Sequence, residues 1–191
     1  MPPPPAPPRP PRARPLPRLP SRDPAARSLA TQWNLGLTLA AVGNYREAEE
    51  TLLLLQGREL SADLFFVSWL ARCFVMNRKA RQAWELYLRM DSSPDSVSLL
   101  QLIANDCYRT GQFYVAAKAF DVLDRMDSDP EYWEGKRGAC VGVFQQVVAG
   151  AESREALRDV VAMLHSTQNQ QCTYIIGVIQ RWAVAGGGLG E

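Results

Sequence analysis

The residues best suited to nucleophilic, redox or metal chemistry in this sequence are four cysteines and a single histidine. Cys73, Cys107, Cys140 and Cys172 are separated by 34, 33 and 32 residues. Metal sites instead draw on closely spaced ligands, such as cysteines roughly two to four residues apart. We therefore expect four unpaired, buried thiols in a reducing compartment, and no metal ligand among them.

No pattern typical of an enzyme accompanies these side chains. His165 stands at the end of a predicted helix with no Cys or Asp near it in sequence, a position that suits the helix dipole. Gly135-Lys136 lacks the spacing of a phosphate-binding loop, and Arg137 follows the lysine. A nucleophile elbow and a dinucleotide-binding loop are also missing. We predict a protein that is not an enzyme, uses no cofactor and takes no small-molecule substrate.

The elements that carry these residues are predicted to be paired amphipathic helices. Between Leu64 and Met90, apolar residues recur three and four positions apart on both sides of a polar break at 77–79. This spacing places them on one face of each of two helices. Such a hairpin cannot bury its apolar faces alone, so similar hairpins must stack on it.

The same hairpin repeats along the chain. Aligning the hairpins on Ala48, Ala83 and Ala116 gives intervals of 35 and 33 residues, close to the 34-residue tetratricopeptide period. A large–small pair recurs in the first helices, at Leu35-Gly36, Leu70-Ala71 and Ile103-Ala104. The fold class predicted is all-α, a tetratricopeptide-type α-solenoid of stacked helical hairpins over residues 29–184.

Local signals mark where these helices begin and what they bury. We expect helix caps at Ser61, at Ser93 before Pro94, at Asp129 before Pro130, and at Ser153. In the fourth hairpin, Gly135, Gly138 and Gly142 share a face that should let a neighbouring helix approach closely. Glu47, Glu49 and Glu50 are interpreted as a solvated face.

Both ends of the chain differ in composition from this repeat. Residues 1–28 hold twelve of the fourteen prolines and carry six Arg and one Asp, a charge of +5, which leaves −4 on the rest because the whole chain is +1. We expect a disordered, Pro/Arg-rich tail at 1–28 and a flexible, Gly-rich tail at 185–191. The acidic remainder argues against nucleic-acid binding, and no apolar run is long enough for membrane insertion.

The proline-rich start contains one recognisable ligand pattern. Arg14, Pro17 and Pro20 follow the basic-x-x-Pro-x-x-Pro form that SH3 domains bind as a preformed polyproline helix. Any Pro/Arg-rich segment yields such matches by chance, so an SH3 domain is a secondary partner hypothesis.

Four segments carry a resemblance that is more specific than the repeat class. They are residues 68–73 (SWLARC), 83–88 (AWELYL), 102–108 (LIANDCY) and 131–140 (EYWEGKRGAC). They resemble a family of tetratricopeptide-repeat intraflagellar transport proteins. The resemblance covers about residues 31–184 and matches the C-terminal part of those longer proteins. The proline-rich start has no counterpart in that family and the Gly-rich end differs from its tail, so we expect a truncated or alternative form.

The resemblance implies a function that periodicity does not. It implies a non-catalytic scaffold or adaptor subunit of the IFT-B complex, with other IFT-B subunits and ciliary, motility-related cargo as partners. It also implies a location at the cilium, including the axoneme, basal body and ciliary tip, and in the cytoplasm. The alternatives are a general tetratricopeptide adaptor or co-chaperone unrelated to cilia, and a truncated isoform without full transport function.

The co-chaperone alternative is disfavoured because a carboxylate clamp needs Lys, Asn and Arg on the inner faces of the first helices. Our alignment places Trp33, Leu37, Trp69, Ser98 and Leu102 there. The predicted protein-binding groove on those helices consists of mixed polar, Met and Tyr side chains: Arg72, Met76, Gln101, Asn105, Tyr108 and Arg109.

The first helix raises a separate expectation. Its apolar residues surround much of its circumference, and no charged residue occurs between Arg27 and Arg46. A helix of this kind is normally covered on two sides. We therefore expect self-association or fraying at this end of the solenoid, through an exposed apolar patch.

Overall fold

The computed structural model describes residues 24–55, 63–167 and 169–185, with side chains from Ser28 onward. These residues form nine helices and no strand. The helices are α1 (Pro24–Ala41), α2 (Tyr45–Leu53), α3 (Leu64–Met76), α4 (Ala80–Leu88), α5 (Pro94–Arg109), α6 (Phe113–Met126), α7 (Pro130–Val148), α8 (Ala156–His165) and α9 (Gln170–Val184).

Each helix packs only against near neighbours in the chain. The pairs α1–α2, α3–α4, α5–α6 and α7–α8 are hairpins, and the first helix of each hairpin also packs against the first helix of the next. Among the described residues, contacts reach no further than two helices along the chain. This is the packing of a solenoid. It confirms the predicted all-α, tetratricopeptide-like fold.

The four hairpin turns have the same backbone geometry. Gly43, Arg78, Gly111 and Gly150 each follow the first helix with φ between 62° and 87°. In the third turn, Gly111 N–H donates to the Tyr108 carbonyl at 3.2 Å and the next N–H donates to Cys107 at 2.9 Å, and the other three turns repeat this pattern. It is the Schellman motif, in which a left-handed residue ends the helix. Arg78 is the one non-glycine described with a positive φ.

The helix caps agree with the sequence at two of four predicted places. Ser93 caps α5 in a reciprocal capping box with Ser96, and Asp129 caps α7 by accepting from the Glu131 N–H at 2.8 Å. The prediction for Ser61 was wrong, because Asp63 caps α3 by accepting from two backbone N–H groups. Ser153 accepts from the Glu155 N–H at 3.1 Å, but α8 begins three residues later, at Ala156.

The positions used to align the repeat form the centre of the core. Ala48, Ala83 and Ala116 have no exposed surface, and neither do the pairs Leu70-Ala71 and Ile103-Ala104. The first hairpin departs from this pattern, since Leu35 is 51% exposed although Gly36 packs on Leu52. Leu70 and Ile103 have an earlier hairpin packed beside them, and no described hairpin stands before Leu35.

The first helix begins earlier than predicted, and part of its apolar surface is covered by the next helices. It starts at Pro24 instead of Leu29, because proline suits the first turn of a helix and Ala25-Ala26 favour helix formation. Trp33 and Ala40 are buried, while Leu35 and Val42 are exposed. The tails at 1–23 and 186–191 lie outside the described residues, so those parts of the tail predictions stay predictions.

A set of polar side chains joins each hairpin turn to the next, and we call it the turn ladder. Asn77 and Lys79 both donate to Glu49 at 2.6 Å, so Glu49 is 5% exposed and the prediction that it belongs to a solvated face was wrong. Arg78 donates to the Thr110 carbonyl at 2.5 Å.

The rest of the turn ladder is made by two glutamines. Gln112 donates to the Val75 carbonyl at 2.8 Å and accepts from the Ala80 N–H at 3.3 Å. Gln146 donates to the Gly111 carbonyl at 2.8 Å. The ladder therefore satisfies helix-terminal carbonyl and amide groups that the helices themselves leave open.

Candidate protein-binding surface

The first helices of successive hairpins, α1, α3, α5, α7 and α9, lie side by side as one layer. All six residues of the predicted groove lie on α3 and α5 of this layer: Arg72, Met76, Gln101, Asn105, Tyr108 and Arg109. Their side chains differ in what they contact, and this decides which are available to a partner.

Arg72 is occupied within the solenoid. Its Nε lies 2.8 Å from Asp106 Oδ2, and its guanidinium lies 5.8 Å from the centre of the Trp69 ring. The Asp106 side chain is 7% exposed. Arg72 therefore joins α3 to α5 through an ion pair with a residue one repeat away. Removing Arg72 would leave the buried Asp106 carboxylate without its closest cation.

Gln101 and Asn105 are likewise engaged with other parts of the chain. Gln101 Nε2 donates to the hydroxyl of Tyr132 on α7, and Asn105 Nδ2 donates to the Gln101 carbonyl at 2.9 Å. Both side chains are half-buried. Gln101 links α5 to α7, whereas the Asn105 bond lies within α5, and both side chains offer only part of their surface to solvent.

Tyr108 and Arg109 are the most accessible of the six. Tyr108 is 40% exposed, and the Arg109 side chain is 57% exposed with Nη1 at 3.8 Å from Asp106 Oδ1. The Tyr108 ring packs edge-on against Phe113 and Phe120, so its position is fixed by the core. A rigid tyrosine beside an accessible arginine is typical of residues that carry binding energy at protein interfaces.

The glycines of α7 allow the close approach that the sequence predicted. A Cβ added to Gly135, Gly138 or Gly142 would lie 2.6 Å, 2.6 Å and 2.5 Å from atoms of Phe120, Tyr108 and Phe113 respectively. Each distance is too short for any real Cβ. Three aromatic rings from α5 and α6 therefore rest directly on the backbone of α7.

Beyond these rings, a cleft of about 680 Å³ opens between α7 and α9. Tyr108 and Gly138 line one side, Tyr174 and Ile175 the other, and Arg137 is also part of the lining. Arg137 and Tyr174 were not among the predicted site residues. The useful signal was the Gly138-x-x-x-Gly142 spacing, which leaves room beside α7, but no sequence pattern showed that α9 would form the second wall.

A buried lysine holds the turn that precedes α9. Lys136 has no exposed surface, and its Nζ lies 2.8 Å from Asp121 Oδ1 and 3.2 Å from Asp124 Oδ2. The same ammonium donates to Thr167 Oγ1 at 2.6 Å and to Ser166 Oγ at 3.3 Å. Lys136 thus connects α6 and α7 to the α8–α9 turn, and so helps to position the α9 wall of the cleft.

The cysteines and the histidine take no part in this surface. All four thiols are buried and free, as the sequence predicted. Burial raises the pKa of Cys73, Cys107 and Cys140 to about 12, and it raises the pKa of Cys172 as well. Thiols of this kind carry little thiolate at neutral pH. His165 is exposed at the last residue of α8.

Two further sequence predictions concern other kinds of contact. No helix within the described ranges has the length and apolar character that crossing a membrane requires. Arg14, Pro17 and Pro20, the predicted SH3 ligand, lie outside the described residues, so that hypothesis stays a prediction.

The sequence of this helical array is similar to a known protein family and to a named relative. The family model described as intraflagellar transport protein 56 matches residues 28–186. The chain is also 35% identical over 153 residues to a Caenorhabditis elegans protein named intraflagellar transport protein 56 homolog. That alignment covers 78% of this chain and 26% of the relative, so the chain spans about a quarter of the relative's length.

Proposed function

Because this chain belongs to the intraflagellar transport protein 56 family, we propose that it acts as an adaptor within the IFT-B complex. The family is one of transport-complex subunits and not of enzymes, so the chain is a non-catalytic protein of intraflagellar transport. The family match over residues 28–186 carries the proposal, because it includes every described hairpin.

The proposal names partners and places. The partners are other IFT-B subunits together with motility-related ciliary cargo. The places are the axoneme, the basal body, the ciliary tip and the cytoplasm. A family named for intraflagellar transport supports this over an adaptor or co-chaperone unrelated to cilia.

The surface proposed to contact the partners is the exposed part of the predicted groove, formed by Tyr108 and Arg109. Arg72, Gln101 and Asn105 support this surface through contacts within the solenoid. Met76, the remaining residue of the predicted groove, is half-buried at the end of α3. A fixed aromatic ring costs little conformational entropy on binding, which favours such residues as anchors.

The test is co-purification of tagged chain from ciliated cells, with IFT-B subunits quantified by mass spectrometry. We expect the parent chain to retain these subunits and Arg109→Glu to reduce their recovery, since reversing an accessible charge disturbs complementarity without opening the core. Arg81→Glu is the matched control, an exposed arginine on α4 outside the surface.

Recovery of no transport subunit with the parent chain would refute the proposed function. If Arg109→Glu and Arg81→Glu reduced the recovery of IFT-B subunits equally, a general charge effect would explain both results. Tyr108 and Arg109 would then not form the contact surface. Thermal unfolding of all three proteins checks that the folds are equally stable.

A further inference from the structure

We propose that the cleft between α7 and α9 binds a short acidic segment of a partner protein, with an apolar side chain between the tyrosines and a carboxylate on Arg137. The proposal rests on the proposed function, since the partner is a subunit or cargo of the transport assembly. It adds an adjoining site, which shares Tyr108 with the first surface, and the chemistry of its ligand.

The cleft has the size and shape for such a segment. Its volume of about 680 Å³ lies within the range of about 300–1,000 Å³ typical of ligand sites. Gly138 and Gly142 carry no side chain, so Tyr108 and Phe113 approach the backbone of α7 closely. An apolar side chain entering here meets aromatic carbon on one side and Ile175 on the other.

Arg137 supplies the charge preference. Its Nη2 donates to Glu134, but its Nε is buried and has no hydrogen-bond partner in the described part of the chain. A buried donor left without an acceptor costs free energy that a ligand oxygen recovers on binding. A ligand carboxylate can accept from this Nε–H while Nη2 stays paired with Glu134.

The rest of the lining is complementary to a peptide and not to a cation. No Asp or Glu lies among the described residues that line the cleft, and three glutamines, Gln145, Gln170 and Gln171, stand around it. Their amides can both donate to and accept from a peptide backbone. Tyr174 is 71% exposed at the rim, and Tyr and Arg are both enriched among the residues that dominate binding energy.

A polyanionic nucleic acid fits the same surface less well. Neutralising a phosphate backbone takes several cations in a row. Arg137 is the single cation among the described lining residues, and the chain beyond residue 28 carries a net charge of −4. One carboxylate with one adjacent apolar side chain matches a cleft that one arginine and two tyrosines line.

The experiment is selection of a phage-displayed library of eight-residue peptides on the intact chain, on Arg137→Met and on Arg158→Met. Arg158 is exposed on α8 and does not line the cleft, so it is the matched control. We expect peptides selected on the parent chain and on Arg158→Met to share an Asp or Glu next to Leu, Phe or Trp. Selection on Arg137→Met should lose the acidic preference.

Affinities of one selected peptide then measure the effect directly. Arg137→Met should weaken binding at least about tenfold, as expected for loss of a charge-assisted hydrogen bond, and Arg158→Met should leave it unchanged. Tyr174→Ala should weaken binding without lowering the melting temperature, since its side chain is mostly exposed. Sedimentation of the free chain shows whether a second copy occupies the cleft instead.

Three results would overturn the proposal: selection on Arg137→Met keeps the acidic preference, no peptide is selected at all, or the chain releases the peptide when it self-associates. The proposed function would still stand after any of these results if the Arg137→Met chain retained IFT-B subunits in ciliated cells. Loss of the proposed function would instead appear as absence of transport subunits from the parent chain.

Discussion

Lys136 and Asp121 form an ion pair of 2.8 Å in which neither side chain is more than 5% exposed. Arg125 also contacts Asp121, and Asp124 completes the acidic side of the cluster. Removing one partner of a buried pair is far more costly than removing both, because the remaining charge loses its counterion in a poorly solvated place.

Lys136→Met is therefore expected to lower the free energy of unfolding by about 3 kcal/mol. Amide exchange should rise first in α9, since the lost ammonium also holds Ser166 and Thr167. Urea unfolding measures the first effect. Lys118→Met is the control, a 40% exposed lysine 4.0 Å from Asp159, and it should cost about 1 kcal/mol or less. Equal costs for the two variants would show that burial of Lys136 contributes nothing.

Two glycine-to-alanine changes should have opposite signs. At Gly142 a Cβ would lie 2.5 Å from the Phe113 ring, so Gly142→Ala should destabilise the fold by about 1–3 kcal/mol. At Gly177 on α9 nothing lies within 4 Å, so Gly177→Ala should stabilise it by about 0.5–1 kcal/mol through helix propensity. Urea unfolding of both variants measures these changes in the free energy of unfolding. Changes of the same sign would contradict the close packing of Phe113 on α7.

The raised pKa values of the thiols predict a loss of stability at high pH. An unfolded cysteine releases its proton near pH 9, whereas Cys107 and Cys140 keep theirs to about pH 12. Between these values the folded state binds more protons, so the stability contribution present below pH 9 falls as pH rises. We expect Cys107→Ala to reduce this slope between pH 8.5 and about pH 10.5. An unchanged slope would show that this thiol is not shielded.

Thiol titration gives a second, independent reading of the same burial. Four groups should react with a thiol reagent under denaturant, and reaction of the native chain should be slow, because little thiolate is present or accessible. Fast reaction of one native thiol, or stoichiometric zinc, would contradict the prediction.

The first hairpin is expected to mediate self-association. Leu35, Val42 and Leu54 are 51%, 73% and 70% exposed on α1, α2 and their turns, whereas Leu37 is half-buried and less suitable for testing. Leu35→Lys with Val42→Lys should raise the monomer fraction in sedimentation velocity. Leu88→Lys, at a 62% exposed position on α4, is the control. A parent chain already monomeric at the same concentration would show that this face does not associate.

Sequence reasoning predicted what depends on local period and missed what depends on the packing of distant side chains. The hairpins, the turn at Gly111 and the cap at Ser93 follow from local patterns, and the structure confirms them. Arg72 was predicted to face a partner because nothing in its own helix shows that Asp106 lies one repeat away.

Charged residues were the other difficulty. Glu49 looked solvated in a run of glutamates, and Lys136 was considered only as part of a phosphate loop, yet both are buried with partners from other helices. A charged residue surrounded by small residues on a helix is the signal that would have found Lys136. Burial of Glu49 becomes visible only once the turns are stacked.

The turn ladder gives the solenoid an unequal stiffness. Successive hairpins are hydrogen-bonded to each other at the edge where they turn, through the side chains of Asn77, Arg78, Gln112 and Gln146. We expect a bending load to separate the first three hairpins from one another at the opposite edge, because the Lys136 cluster ties the third and fourth hairpins together there. A segment built this way can follow the curvature of a larger assembly without breaking the order of its helices.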